Sequence, residues 1–267
     1  MRGQIEICGC FPTGRHYPGI ADRLAHTRVA MPVRGLASGF EPEISWVDAS
    51  LAIIDFETTG LDPSVDRVLE MGIVCVDDGI VTASNNWLIH PTIPVPAEAT
   101  AIHGITDEML AHEPRFEQVW GELQTHFEGR LPVAYNASFD KKFLLAELER
   151  MGETTWGEDL PPAMQSDVEW IDPLVWVREL FQDRSAKLTD ICKHLGIPLA
   201  GAHRAANDAE ATGRVLLAMR ERMPAAYGEL SKTYGKEPDV AERFPSLWAA
   251  SRKPSAPKKA ETPGAEG

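Results

Sequence analysis

The stretch Leu51-Ala52-Ile53-Ile54-Asp55-Phe56-Glu57-Thr58-Thr59-Gly60 constrains this chain more than any other. An apolar run that short, stopped by Thr-Thr-Gly, reads as a buried central strand over Leu51 to Phe56. Residues i and i+2 of a strand share a face, so Asp55 and Glu57 project side by side from its end. Two carboxylates held together repel each other unless a cation lies between them. The chain must therefore bury a strand whose end carries an acid pair, and must place something positive there.

The surrounding pattern says what buries it. Val68 to Val76 and Ile80 to Ile89 read as a second and third strand, joined by the hairpin signal Asp77-Asp78-Gly79. Pro91, Pro94 and Pro96 mark an irregular connection. Phe116, Val119, Trp120, Leu123 and Phe127 recur at helical spacing between Pro114 and Gly129. Leu131 to Tyr135 reads as a short strand, Ser138 to Met151 as an amphipathic helix closed by Gly152, and Val168 to Ile171 as a last strand. Helices follow over Leu174 to Phe181, Leu188 to Leu195 and about Ala205 to Arg222. A meander feeding βαβ units predicts an α/β fold: a mixed five-stranded sheet, an antiparallel meander followed by parallel strands, with helices on both faces.

The flanks read differently. Residues 1–45 show no sustained period and hold several Gly and Pro, as expected for a loosely ordered leader or for a translation start extended past Met31. Cys8-Gly9-Cys10 is spaced too tightly for the usual zinc knuckle, even with His16 and His26 nearby. Residues 46–222 form the expected domain and 223–250 a partly helical extension. Residues 251–267, rich in Pro, Ala and charge, predict a disordered tail. Cys75 and Cys192 sit inside apolar patterns as buried thiols. No apolar run is long enough for a bilayer and none resembles the core of a signal peptide, so no membrane partner and a cytoplasmic location are expected.

The formal net charge is -14. That argues against gripping long nucleic acid through bulk electrostatics, which needs clustered Lys and Arg. It leaves open a cleft that binds a phosphate chain through its own metal ions and a few local cations.

Two later segments bring more acids. Asp140 closes Tyr135-Asn136-Ala137-Ser138-Phe139-Asp140 and falls in the first turn of a helix, where the helix dipole alone would favour an acid. Asp208 lies in His203-Arg204-Ala205-Ala206-Asn207-Asp208. Five helical steps put His203 and Asp208 roughly 140° apart, so both can serve one site only if His203 precedes the helix or sits in its frayed first turn. Gly201 upstream fits a mobile loop there; alone, His203 reads more simply as a surface or capping histidine. Four carboxylates at strand ends and helix starts can converge at one sheet edge. All-oxygen ligands favour Mg²⁺ or Mn²⁺.

Taken together, Asp55-Phe56-Glu57-Thr58-Thr59-Gly60, His103-Gly104-Ile105-Thr106, Tyr135 to Asp140 and His203 to Asp208 resemble the motifs of the DEDDh 3′-to-5′ exonucleases, over roughly Ser45 to Arg222. The resemblance implies an RNase H-like fold and metal-dependent release of nucleoside 5′-monophosphates from 3′ ends. It implies that Asp55, Glu57, Asp140 and Asp208 hold two metal ions, Mg²⁺ or Mn²⁺, and that His203 is the general base. It implies that the chain near Thr58 holds the terminal 3′-OH, that Leu61 wedges against the terminal base, and that His103 and Ile105 line the nucleotide pocket. The implied partners are single-stranded or frayed 3′ ends, DNA favoured over RNA, with a DNA polymerase as a candidate protein partner. A non-catalytic nucleic-acid or polymerase-binding module on the same fold is the alternative, and all five site residues would then be needless. A phosphatase reading of Asp55-x-Glu57-x-Thr59 would need a second aspartate at position 57.

Some positions depart from the family's usual pattern. Tyr135 stands where His is common, and Asn207 where a small or apolar residue is usual. Asp172 before Pro173 is expected to cap a helix. Lys141 and Lys142 could meet phosphates but read more simply as an exposed helix face, and Glu70 reads as a residue of the polar face rather than a fifth ligand.

Overall fold

The computed structural model describes residues 35–234 apart from 158 and 200, and no side chains over 231–234. Residues 1–34 of the expected leader, the expected tail and residues 235–250 of the extension lie outside the described residues.

Strands β1 (Leu51–Thr58), β2 (Val68–Asp77), β3 (Ile80–Leu88) and β4 (Leu131–Val133) form one sheet in the order β3-β2-β1-β4. β1 pairs with β2 and β2 with β3 antiparallel, while β4 joins β1 in parallel. The β2–β3 turn is the one the sequence announces. Asp78 and Gly79 both take positive φ, 51° and 72°, as a two-residue hairpin requires.

The expected fifth strand is a correction. Val168 to Ile171 contributes one parallel bridge, Val133 to Ile171, so the sheet has four strands. The N–H of Ile171 reaches the Pro132 carbonyl and the N–H of Ala134 reaches the Ile171 carbonyl. The segment then turns at once into helix α5, with Asp172 as its cap and Pro173 as its first residue, so no further ladder can form.

The helices are α1 (Ala97–His103), α2 (Asp107–Leu110), α3 (Phe116–Leu123), α4 (Ala137–Met151), α5 (Pro173–Leu180), α6 (Leu188–Leu195), α7 (Ala205–Met219) and α8 (Tyr227–Tyr234). α1 and α2 lie in the proline-marked connection expected to be irregular. The expected helices ending near Phe127 and Arg222 finish in single 3₁₀ turns, Gln124–His126 and Arg220–Arg222.

Two cores sandwich the sheet. On one face Leu51, Ile53, Val74 and Val76 pack with Trp176, Val177, Ile191, Val215, Leu216 and Tyr227. On the other, Ala52, Ile54, Met71 and Ile73 pack with Phe116, Trp120, Leu123, Phe143 and Leu148. β2 is buried along nearly its whole length, as a strand covered on both faces must be. Residues 35–49 are tied to α8: Tyr227 Oη accepts from the Ala37 N–H, and Trp46 Nε1 donates to the Pro224 carbonyl. Among the described residues, no helix is long and apolar enough to cross a membrane.

One close approach places the site. Gly72 lies opposite Asp55 in the β1–β2 register, and a Cβ there would collide with the backbone of Ala205 and Ala206 at the start of α7. Glycine lets α7 descend onto the face that carries the acid pair. Gly121 in α3 has open space around a Cβ instead. Gly72→Ala should cost about 1–3 kcal/mol or more in urea unfolding, because a backbone must move. Gly121→Ala should be neutral or stabilising by about 0.4–1 kcal/mol. Equal stability of the two variants would contradict the close approach.

Candidate active site

β1 delivers Asp55 and Glu57 to one face at its end, with Glu70 of β2 directly opposite Glu57. β4 has already stopped by then. The Phe56 N–H, between the two acids, is taken by Asp140 Oδ1 at 3.1 Å. Asp140 sits in the first turn of α4 and Asp208 in the first turn of α7. His203 precedes α7 by two residues, exposed, with φ +66°. Its backbone N–H donates to Asp208 Oδ2 at 2.9 Å.

The convergence is tight. One ligand atom each from Glu57, His203 and Asp208 lies within 4.8 Å of the others. Asp55 is close enough to Asp140, Asp208, Glu57 and Glu70 to be repelled by all four. Burial, then those neighbours, hold its carboxyl well above the usual range. Burial likewise raises Asp140 well above the usual range, although the N–H groups of Phe56 and of its own residue oppose this. Glu57 is pushed up to about 7 by burial, then by Asp208 and Glu70, with Arg204 pulling the other way. Asp208 is raised by burial, against the N–H and ring of His203.

These are acids waiting for positive charge. Asp208 Oδ1 is buried and makes no hydrogen bond, an orphaned acceptor on a residue of the cluster. The oxygen-rich donor set fits a hard divalent cation such as Mg²⁺ or Mn²⁺.

Neither helix that brings an acid caps itself. Asn136, ahead of α4, takes φ +69° and offers no capping side chain. Asp172 does the work from another element, accepting from the N–H of Asn136 at 3.0 Å and of Ala137 at 3.1 Å while capping α5 through the Leu174 N–H. The expected cap of α5 is thus also the clamp on the helix of Asp140. Arg204, ahead of α7, offers no capping side chain either; there Glu70, fully buried, accepts from the Ala205 N–H. Glu70 is not a residue of an exposed polar face, and sequence gave no signal for a contact to a helix so distant along the chain.

The turn after β1 is built for an exposed tip. Thr58 Oγ1 donates to the Gly60 carbonyl, and Thr59 Oγ1 donates to Asp66 Oδ1 while accepting from the Arg67 N–H. Arg67 in turn grips the buried Glu147 of α4 at 2.8 and 2.9 Å. On this braced turn Leu61 is 83% exposed. His103 ends α1, with Nδ1 accepting from the Ile105 N–H. Burial lowers its pKa, which favours the neutral ring, and the Thr58 carbonyl, Glu70 and His203 are its electrostatic neighbours. Ile105, expected to line the nucleotide pocket, is 1% exposed and its side chain packs with Leu69, Val95, Ala99 and Leu110. Its side chain supports the His103 turn from inside. Lys141 also turns away, donating from Nζ to the Val168 carbonyl.

Residues 52–216 match the pattern of the family described as exonuclease, RNase T. A DNA polymerase III of PolC type from Thermotoga petrophila is 33% identical over 195 residues, which is 70% of this chain and 14% of the polymerase. The PolC-type enzyme of Halalkalibacterium halodurans is 34% identical over 180 residues, 67% of this chain and 12% of that protein. The chain thus spans only a small part of the curated relatives it matches. Among solved structures, exonuclease X in complex with 5′ overhanging duplex DNA aligns with TM-score 0.52 and 27% identity, covering 68% of this chain and 99% of the other. The nuclease domain of 3′hExo, a DEDDh family member bound to rAMP, aligns with TM-score 0.55 and 18% identity, covering 67% and 94%. That likeness shows the fold, which is RNase H-like as expected.

The raised carboxyl pKa values dictate how the metal-free protein responds to pH. The Glu57 carboxyl, ordinarily near 4.5, is pushed up to about 7 in the folded protein, so the folded state binds more protons between those values. Stability then falls as pH rises through that window. The melting temperature of chelator-treated protein should drop between about pH 5 and pH 8. Mg²⁺ or Mn²⁺ should raise it more at pH 8 than at pH 5. Glu57→Gln should flatten both effects. A metal-induced gain of equal size at the two pH values would count against this charge balance.

Proposed function

This chain belongs to the RNase T-type exonuclease family, the DEDDh 3′-to-5′ exonucleases, and we propose that it hydrolyses the terminal phosphodiester bond at 3′ ends, DNA favoured over RNA, releasing nucleoside 5′-monophosphates. The observation that carries this reading is the convergence of Glu57, Asp208 and His203 within 4.8 Å, beside Asp55 and Asp140, at an edge flanked by the braced Thr58–Leu61 turn.

Asp55, Glu57, Asp140 and Asp208 would hold two divalent ions, Mg²⁺ or Mn²⁺. Bound there, such ions acidify the attacking water and stabilise the leaving 3′ oxygen. His203, at the exposed rim, takes the proton from that water as its oxygen attacks phosphorus and the P–O3′ bond breaks. Imidazole is the side chain suited to this exchange near neutral pH. Backbone groups of Thr58 to Gly60 hold the terminal 3′-OH, and exposed Leu61 wedges against the terminal base. The buried, neutral His103 closes the nucleotide side of the site.

Apolar and stacking contacts tolerate any base, so the specificity is for a free end rather than a sequence. Single-stranded or frayed 3′ ends are the substrate class. A DNA polymerase is the protein partner this reading names, because the matched PolC-type relatives are polymerases.

The test uses 5′-labelled single-stranded DNA, frayed duplex and RNA, each with Mg²⁺, Mn²⁺ or chelator. Products should shorten stepwise from the 3′ end, only with metal, and fastest on DNA. Asp208→Ala should leave no activity above background, and His203→Ala should lower kcat on the order of 10²–10⁴-fold. Indistinguishable wild-type and Asp208→Ala digests would sink the metal-site reading; a wild type inert on all three substrates would favour the non-catalytic binding module.

A further inference from the structure

His203 and Asp208 reach the same cluster by different means. Asp208 is part of α7, whose Ala209, Ala211, Thr212, Val215 and Leu216 are buried. Core packing fixes the helix, and the helix fixes Asp208. His203 lies outside the helix, exposed, on a left-handed turn unusual for a residue with a Cβ. Upstream of it Gly201 is left-handed too, at φ +66°. His203 is in none of the apolar clusters of the described residues, so beyond the bond from its own N–H to Asp208 Oδ2 its position depends on how residues 204–206 are fastened.

They are fastened to the sheet. Glu70 Oε1 accepts from Arg204 Nε at 2.9 Å and Nη2 at 2.7 Å, and from Asn86 Nδ2 at 2.8 Å. Glu70 Oε2 accepts from the Ala205 N–H at 3.1 Å, and Asn86 Oδ1 from the Ala206 N–H at 3.2 Å. Three consecutive residues after His203 are thus bonded to β2 and β3. On the other side Asn207 Nδ2 donates to the Gly201 carbonyl at 3.1 Å, which holds the start of the turn against the helix. Asn207 departs from the family's usual residue, and this bond is what its amide supplies.

We propose that Glu70, assisted by Asn86, is the positioning residue for His203: it anchors the base of the His203 turn to the sheet, and Asn207 limits the turn's travel from the other end. The proposal rests on the exonuclease reading above. A carboxylate lying opposite Glu57 invites assignment as a fifth metal ligand, but both oxygens of Glu70 are already engaged by Arg204, Asn86 and Ala205. Glu70 acts through the neighbour's backbone, not on the reacting atoms. The two roles separate experimentally. Loss of a ligand weakens metal binding; loss of an anchor misplaces the base and leaves the metal and the substrate bound.

The test compares the wild-type chain with Glu70→Gln, Asn86→Ala and Asn207→Ala. Glu70→Gln puts an amide donor where the Arg204 guanidinium or the Ala205 N–H needs an acceptor. Asn86→Ala alters an exposed position of β3, so it keeps the test alive if the buried change prevents folding. For Glu70→Gln, kcat should fall on the order of 10–100-fold, as a misplacement of about 1 Å produces, with KM and the Mn²⁺ dissociation constant within about twofold of wild type. Asn86→Ala and Asn207→Ala should show smaller falls in the same parameter. Independently of activity, amide hydrogen exchange at Ala205 and Ala206 should quicken in the Glu70 and Asn86 variants and stay slow at Ala211 and Thr212. A folded Glu70→Gln protein with wild-type kcat, or one whose Mn²⁺ affinity falls as far as that of Asp208→Ala, overturns the proposal. Should Glu70→Gln not fold, unchanged kcat and unchanged exchange in Asn86→Ala overturn it. An inert wild type ends the exonuclease reading and this proposal with it, whatever the exchange rates show.

Discussion

Helix α7 reaches the acid pair of β1 because position 72 carries no side chain. The start of the helix lies over Gly72, where any Cβ would strike the backbone of Ala205 and Ala206. From that contact follow the place of Asp208, the reach of His203, and the burial of Glu70 beneath Arg204. It also explains why so much charge can be gathered at one sheet edge. The acids are forced together by packing that is secured elsewhere, in the two apolar layers, and their repulsion is a cost carried by the whole domain.

The site is organised as acids held by other acids. Asp55 and Glu57 come from the sheet itself. Asp140 and Asp208 come on helices that lack caps of their own, each pinned by a carboxylate from a distant element, Asp172 for one and Glu70 for the other. Acceptor capacity separates Asp208, with an orphaned oxygen, from Glu70, with none. It also explains why an acid-rich edge need not mean that every acid there holds metal.

Most of the fold and half of the site's logic could be read from the chain. Strand β1 and its acid pair were legible because a short apolar run and a period of two are local signals. The β2–β3 hairpin was legible because Asp78-Gly79 permits positive φ at both positions. Helical geometry, once His203 and Asp208 are assigned to one site, left His203 either ahead of α7 or in its first turn, and it lies ahead. The misses are equally physical. Helices α1 and α2 bury only Ala99, His103 and Leu110, too few for a periodic pattern, and prolines surround them. The fifth strand shrank to a bridge because a capping Asp172 and a proline begin a helix just beyond it. The packing of Ile105 against Leu69 and Leu110 is likewise set by tertiary structure, which no motif records. The pairings of Glu70 with Arg204 and of Asp172 with Asn136 join segments far apart in the chain, and no period or spacing announces them.

The order in which these elements occur along the chain has a consequence for synthesis. The meander β1-β2-β3 is built from neighbouring segments and can form its ladder early, whereas α7 belongs near the end of the described residues. Until it has been made, Ile53, Val74 and Val76 lack the Val215 and Leu216 side of their cover. A chain made N-terminus first therefore carries a sheet with one apolar face only partly covered and its acids incomplete. The helix that covers this part of the face is also the one that brings Asp208, so the shielding of Ile53 and Val74 and the arrival of the last acid at the edge are coupled, and a chain released before α7 would lack both.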